Sequence, residues 1–245
     1  MTAIALYNLK GGVGKTAAAI NLAYLAAADG LKTLIWDLDP QGSSSFYLNV
    51  KAANKNETKK LFAEELEIKT AIQESVFEKL WIIPSDISAR NIDTALHDLK
   101  HSKRKLKSLL NNLKEFDVVI LDSPPGISLL HENIFNAANW ILMPNIPTTL
   151  SVNSFETVME YFKNNELDKS KVKCFFSMVD HRKNLHHEVL QQFYKDKLFF
   201  KSYIPYLSDV EKMGTNQQPV FEYANSSYAA QCFRALWNEV KKVCL

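Results

Sequence analysis

Lys10-Gly11-Gly12-Val13-Gly14-Lys15-Thr16 lies between an apolar, strand-like segment, Ala3 to Tyr7, and an alanine-rich helical segment, Ala17 to Ala28. Glycines at a strand-to-helix turn let backbone N–H groups and a helix N-terminus converge on an anion, so the stretch describes a phosphate cradle. The common pattern is G-x-x-x-x-G-K-[ST], with the lysine on the β- and γ-phosphates and the hydroxyl on Mg²⁺. Gly14, Lys15 and Thr16 fit, but Leu9 replaces the first glycine and Lys10 adds a second cation at the mouth of the loop. That ammonium is either solvated or reaches a further phosphate, as across a dimer interface. Gly11, Gly12, Val13, Gly14, Lys15, Thr16 and Ala17 form the expected nucleotide-binding set.

Working outward, apolar β-rich segments recur at Ala3 to Tyr7, Thr33 to Trp36, Leu80 to Ile83, Val118 to Leu121, Trp140 to Met143, Val172 to Phe176 and Phe199 to Ile204, with helical stretches between most of them. Continuous Val/Ile/Leu runs are strands buried on both faces, and their alternation with helices predicts an α/β fold: a doubly wound, mainly parallel sheet with helices on both faces. Ligands then bind at the carboxyl ends of the strands. The polar stretch Asn49 to Lys60 reads as a surface loop. His101 to Lys107 starts a helix continuing through Leu106, Leu109, Leu110 and Leu113 with a solvated basic face, and Ala229 to Val243 puts Phe233, Leu236, Trp237 and Val240 on one helical stripe.

With 245 residues, 47% of them hydrophobic, the expectation is one domain over residues 1–245. Lys and Arg number 29 against 27 acidic residues, so nucleic-acid binding requires a local patch. Cys174, Cys232 and Cys244 form neither an even disulfide framework nor a C-x-x-C motif, which fits a reducing cytoplasm. The N-terminus enters a strand directly, and no run approaches the ~18 apolar residues of a membrane span. A soluble protein without stable membrane insertion is expected.

Two more strand ends carry acids. In Leu34-Ile35-Trp36-Asp37-Leu38-Asp39-Pro40-Gln41-Gly42 the carboxylates are two residues apart where the chain begins to turn, so one serves a metal shell while the other orients water. Asp117-Val118-Val119-Ile120-Leu121-Asp122 is an apolar strand ending in an acid, the pattern in which Asp122 holds Mg²⁺ directly or through water. Ser123-Pro124-Pro125-Gly126 follows as a rigid loop.

With these motifs in order, the chain resembles the ParA/MinD family of deviant Walker A P-loop ATPases over nearly its full length: K-G-G-x-G-K-[ST] is Lys10 to Thr16, D-x-D-P-Q is Asp37 to Gln41, and D-x-P-P is Asp122 to Pro125. It looks closer to small, Soj-like ParA partition proteins than to MinD, because D-P-Q-G occurs and neither an N-terminal helix-turn-helix nor a distinct C-terminal membrane-targeting helix is evident. The resemblance implies ATP and Mg²⁺ as cofactors and a homodimer closed by ATP, with Lys10 of each subunit on the partner's phosphates. It assigns Lys15 to the β/γ-phosphates, Thr16 and Asp122 to the metal with Asp37 in its shell, Asp39 to the attacking water and Pro205 to the adenine pocket. It further implies nonspecific double-stranded DNA binding, a ParB-like or cargo-adaptor partner, and a cytoplasmic, nucleoid-associated location.

For DNA, Asp180-His181-Arg182 matches a segment where the family places one arginine, whereas Ile204-Pro205-Tyr206 lacks the arginine of the family's I-P-R. Arg182, Lys183, Lys201 and Lys212 are the candidate contacts. A MinD-like membrane-surface switch recruiting partner proteins is the alternative, and a small-molecule ligase or kinase a third reading. His181, His186 and His187 lack a matching acidic ligand set for zinc. The iron-protein relatives of nitrogenase need a cluster-bridging cysteine that the Asp122 region lacks.

Overall fold

Along strand β1 (Thr2–Leu6), Ala3 and Ala5 pack into one hydrophobic core and Ile4 and Leu6 into another, so the strand separates two apolar layers. The same alternation runs through β2 (Thr33–Asp37), where Leu34 and Trp36 oppose Ile35. The structure, a computed structural model, describes residues 1–97, 99 and 102–245. Its other strands are β3 (Gln73–Glu74), β4 (Leu80–Ile83), β5 (Val118–Asp122), β6 (Trp140–Asn145), β7 (Val172–Val179) and β8 (Phe199–Pro205). They form one eight-stranded sheet in the order β3-β4-β2-β5-β1-β6-β7-β8, in which only β3 and β4 pair antiparallel.

Helices cover both faces, as the alternating pattern predicts. Lys15–Ala28 and Tyr228–Cys244 pack on the layer holding Ile4, Leu6 and Ile35. Ile92–His97, Lys105–Leu110, Leu129–Ala137, Thr149–Asn164 and Asn184–Phe193 pack on the other. The C-terminal helix buries Phe233, Leu236, Trp237 and Val240, and its Trp237 indole N–H donates to Asp29 at 2.8 Å, locking it against the end of Lys15–Ala28. No helix among the described residues is long and apolar enough to cross a membrane.

Three local expectations change. The polar stretch Asn49 to Lys60 contains the start of a helix, Glu57–Phe62, which buries Leu61 and Phe62 and whose Thr58 N–H donates to Asp86 at 2.9 Å. Lys105 is 7% exposed and ion-paired with Glu64 rather than solvated. The helix there spans only Lys105–Leu110, while Leu113 is buried beyond its end and His101 lies outside the described residues. Cys174, Cys232 and Cys244 are buried free thiols.

Candidate active site

Strand order reverses at β1, which pairs with β5 on one side and β6 on the other, and the loops leaving β1, β2 and β5 meet there. The register places Asp122 beside both Leu6 and Asp37. Two carboxylates thus stand on adjacent strands, ~4.8 Å apart in backbone spacing, and both are fully buried.

Ser44 joins them: its N–H donates to Asp37 Oδ2 at 3.0 Å and its hydroxyl to Asp122 Oδ2 at 2.8 Å. Asp37 also accepts from the N–H groups of Asp39 (3.1 Å) and Ser45 (3.4 Å), so both its oxygens brace the turn after β2. Asp122 Oδ1 is buried without a partner. Burial and the charge of Asp122 push the Asp37 carboxyl well above the usual range. Burial likewise raises Asp122 from 3.8 to about 6 against the hydroxyls of Thr16 and Ser44 and the Lys15 ammonium, with Asp39 adding to the rise. Of the three metal candidates, Asp122 carries the open oxygen. An open carboxylate oxygen near a threonine hydroxyl is the hard-oxygen set that suits Mg²⁺, which takes one or two carboxylates together with phosphate oxygens. Among the described residues no group of three or more His, Cys, Asp or Glu is placed to hold a metal by itself, the three histidines included.

The cradle forms as its sequence indicates. Gly12 (φ +70°) and Gly14 (φ +88°) take left-handed conformations that side chains disfavour, and Gly14 opens the helix Lys15–Ala28. Among the described residues nothing accepts the N–H groups of residues 11 to 17, leaving a run of donors for an anion. The Ser177 hydroxyl donates to the Val13 carbonyl at 2.6 Å and ties the loop to β7. Lys15 is 7% exposed, and its Nζ donates to the Lys10 carbonyl at 3.0 Å. Burial lowers its pKa, while Asp122 and Asp39 hold the charged form in place.

These elements enclose a cavity of about 670 Å³ lined by Gly11, Gly12, Gly14, Lys15, Thr16, Ala17 and Asp39, with Pro124 and Pro125 from the loop after β5. Asp39 braces its own turn by accepting from the Gln41 N–H at 2.9 Å. A smaller apolar slot of about 60 Å³ adjoins the cavity at Gly14 and Ala17 and contains Pro205. Met178, at φ +53° beside a β-bulge in β7, lines both. Lys10 lines neither space: its Nζ donates to the Leu150 carbonyl at 2.6 Å, on the first turn of Thr149–Asn164.

The DNA candidates are more scattered. Arg182 is highly exposed but grips Asp180 through Nε and Nη2, both at 2.9 Å, and its hydrogen bonds hold the Asp180 carboxyl well below the usual range. Lys183 precedes the helix Asn184–Phe193 and forms no ion pair among the described residues. Lys212 pairs with Asp209 at 3.7 Å, and Lys201 lies early in β8 over the Tyr194 ring at 4.3 Å. Lys183, Arg182 and Lys212 follow the carboxyl ends of β7 and β8, whereas Lys201 lies within the sheet's span.

Ser44, Ser177 and Met178 carry no motif. Ser44 meets Asp122 across 78 positions and Ser177 meets Val13 across 164, so only the fold reveals them.

Residues 1–173 match the family model described as an AAA domain, AAA_31. The chain is 32% identical over 236 residues to the chromosome-partitioning ATPase Soj of Treponema pallidum, covering 92% of this chain and 89% of that protein. A plasmid partition protein of Borrelia burgdorferi B31 bound to AMPPNP superposes with a TM-score of 0.87 at 22% identity over 99% of both chains. MinD of Pyrococcus horikoshii complexed with Mg-ADP gives 0.80 at 22% identity over 99% of this chain and 96% of that one. The structural likenesses establish the fold, and the sequence matches establish kinship: the chain belongs to the ParA/MinD family of P-loop ATPases, close to its Soj-type partition proteins.

Proposed function

We propose that the 245 residues act as a single Mg²⁺-dependent ATPase unit that dimerises on ATP, binds nucleoid DNA nonspecifically and, when a ParB-like or other cargo adaptor stimulates hydrolysis, positions or segregates DNA or protein cargo in the cytoplasm. The observation that carries the reading is the pairing of a filled charge requirement with an unused charge. Lys15 already supplies the cavity's buried cation, while Lys10 stays outside the cavity on the Leu150 carbonyl. A second cation not needed at home is available to a partner's phosphates.

On this reading, N–H groups from Gly11 to Ala17 and the Lys15 ammonium bind and orient the triphosphate. Thr16 and Asp122 would hold Mg²⁺, whose charge supports the phosphates as negative charge redistributes, and Asp37 braces the turn behind them. Asp39 orients water at the cavity edge. Pro205 and the apolar slot receive the base. Phosphoryl transfer depends mainly on such positioning and charge, and a cation added in trans contributes up to ~10³–10⁵ in related nucleotide hydrolases. We expect Lys10 at or below the low end, giving a slow timer. The C-terminal helix supports the DNA reading over the membrane one, because its apolar stripe is already packed in the core. The test is molar mass by light scattering with ATP or ADP alongside turnover with and without duplex DNA. A chain that stays monomeric with ATP, or that fails to hydrolyse it, overturns the reading.

A further inference from the structure

Pro124 and Pro125 bring the loop after β5 into the cavity wall, and neither can donate a backbone hydrogen bond to hold it there. The loop is anchored from below instead. Ser123 donates through its hydroxyl to the Leu6 carbonyl at 2.6 Å, Gly126 N–H donates to Leu9 at 3.0 Å, and the Tyr7 hydroxyl donates to the Gly126 carbonyl at 3.1 Å. Gly126 sits at φ +105°, a conformation open to glycine, so the loop turns there.

His131 spans that point. It is 2% exposed, in the first turn of Leu129–Ala137, with its ring edge-on to Tyr7 at 5.4 Å. Its Nε2 lies 3.0 Å from the Pro124 carbonyl and its Nδ1 3.0 Å from the Ser128 hydroxyl. A carbonyl only accepts, so Nε2 carries the proton, and Nδ1 of the neutral ring accepts from Ser128. Burial favours that neutral ring. The clamped segment also lies close to the cradle, since a Cβ placed on Gly11 would come within 3.8 Å of the Pro125 ring.

We propose that His131 is a positioning residue for ATP hydrolysis: by bridging the Pro124 carbonyl and the Ser128 hydroxyl it fixes the loop that walls the cavity beside Gly11. The inference rests on the ATPase reading. It concerns hydrolysis more than nucleotide capture, because the capture groups, from Gly11 to Ala17, belong to another loop.

Two substitutions separate the clamp from ring packing. His131→Phe keeps an aromatic ring against Tyr7 and removes both hydrogen bonds, whereas His131→Gln sets an amide donor near the former Nε2. The expected result is a roughly tenfold fall in kcat for the Phe variant with KM for ATP within about twofold, and recovery to within about threefold in the Gln variant. In nucleotide-free protein, hydrogen exchange at the Gly126 amide rises about tenfold in the Phe variant and returns toward wild type in the Gln variant. Unchanged kcat in the Phe variant, a parallel rise in KM, equal defects in both variants, or unchanged Gly126 exchange overturns the proposal. If the wild-type chain itself does not hydrolyse ATP, the ATPase reading fails, and the exchange arm alone reports whether His131 holds the loop.

Discussion

Replacing Asp122 with Asn should make the nucleotide-free protein more stable and catalytically inactive. A rise from 3.8 to about 6 means that ionised Asp122 is disfavoured in the fold, by about 3 kcal/mol at ~1.36 kcal/mol per pH unit. A carboxyl whose folded pKa exceeds its unfolded one stabilises fully below about pH 4, and the contribution is lost as pH rises through about 6. Asn removes that dependence but leaves an amide where Oδ1 had no partner, offsetting about 1 kcal/mol. The net gain at pH 8 is about 2 kcal/mol, or ~4–8 °C in Tm for a chain of this size. Roughly half of the cost of ionising Asp122 arises between pH 5 and pH 8, so the variant's advantage should widen over that interval. Thermal melts without nucleotide or Mg²⁺ at pH 5, 6, 7 and 8 measure it. Mg-ATP at a hundred times its Kd should add about 2.7 kcal/mol to the wild type and far less to the variant, whose turnover should fall at least ~100-fold. A stability difference that stays flat or narrows toward pH 8 refutes the desolvation argument, and retained turnover refutes the metal role of Asp122.

Lys10→Ala should abolish adaptor-stimulated hydrolysis while nucleotide affinity stays within about threefold, because Lys10 does not line its own cavity; unchanged stimulated turnover would sink the trans-lysine role. Asp39→Ala should hold an ATP-bound dimer, seen by size exclusion with light scattering, and a monomer profile counts against its water-orienting role. Duplex DNA binding in the ATP state should weaken linearly in log–log salt titrations, with Lys183→Ala reducing the slope by about 1 and Lys201→Ala leaving it unchanged. Absence of binding even at low salt removes the DNA half of the function.

Strands buried on both faces are legible because their burial leaves continuous apolar runs, as at Val118 to Leu121. Irregular strand ends are not: β6 runs on through Pro144 to Asn145, and β7 past Ser177 to Val179 through a bulge at Met178. Gln73–Glu74 shows no pattern because a two-residue edge strand has no buried face of its own. The helix Glu57–Phe62 escapes for a related reason, since one turn and a half brings in only Leu61 and Phe62 among charged neighbours. Within the site, motif spacing identifies groups that would touch phosphate or metal. It is silent on Ser44 and Ser177, whose hydrogen bonds reach a strand or loop that only the sheet brings near, and on His131, whose partners Pro124 and Ser128 are close in sequence but match no motif.

Lys10 shows how one residue can encode assembly on the proposed reading. In the single chain its ammonium donates to a neutral carbonyl on an exposed turn, where water competes for both groups. A phosphate adds an opposite charge on the acceptor, and the gain is greatest where water is excluded. Without nucleotide across the interface, moving Lys10 off Leu150 would bring it toward a buried lysine whose neighbouring carboxylates, Asp122 and Asp39, already answer the charge of Lys15. With a triphosphate there, the exchange becomes favourable for each subunit at once. The same residue therefore opposes closure of empty subunits and favours closure of loaded ones, and a carbonyl contact of only modest strength suits a switch that hydrolysis must later reverse.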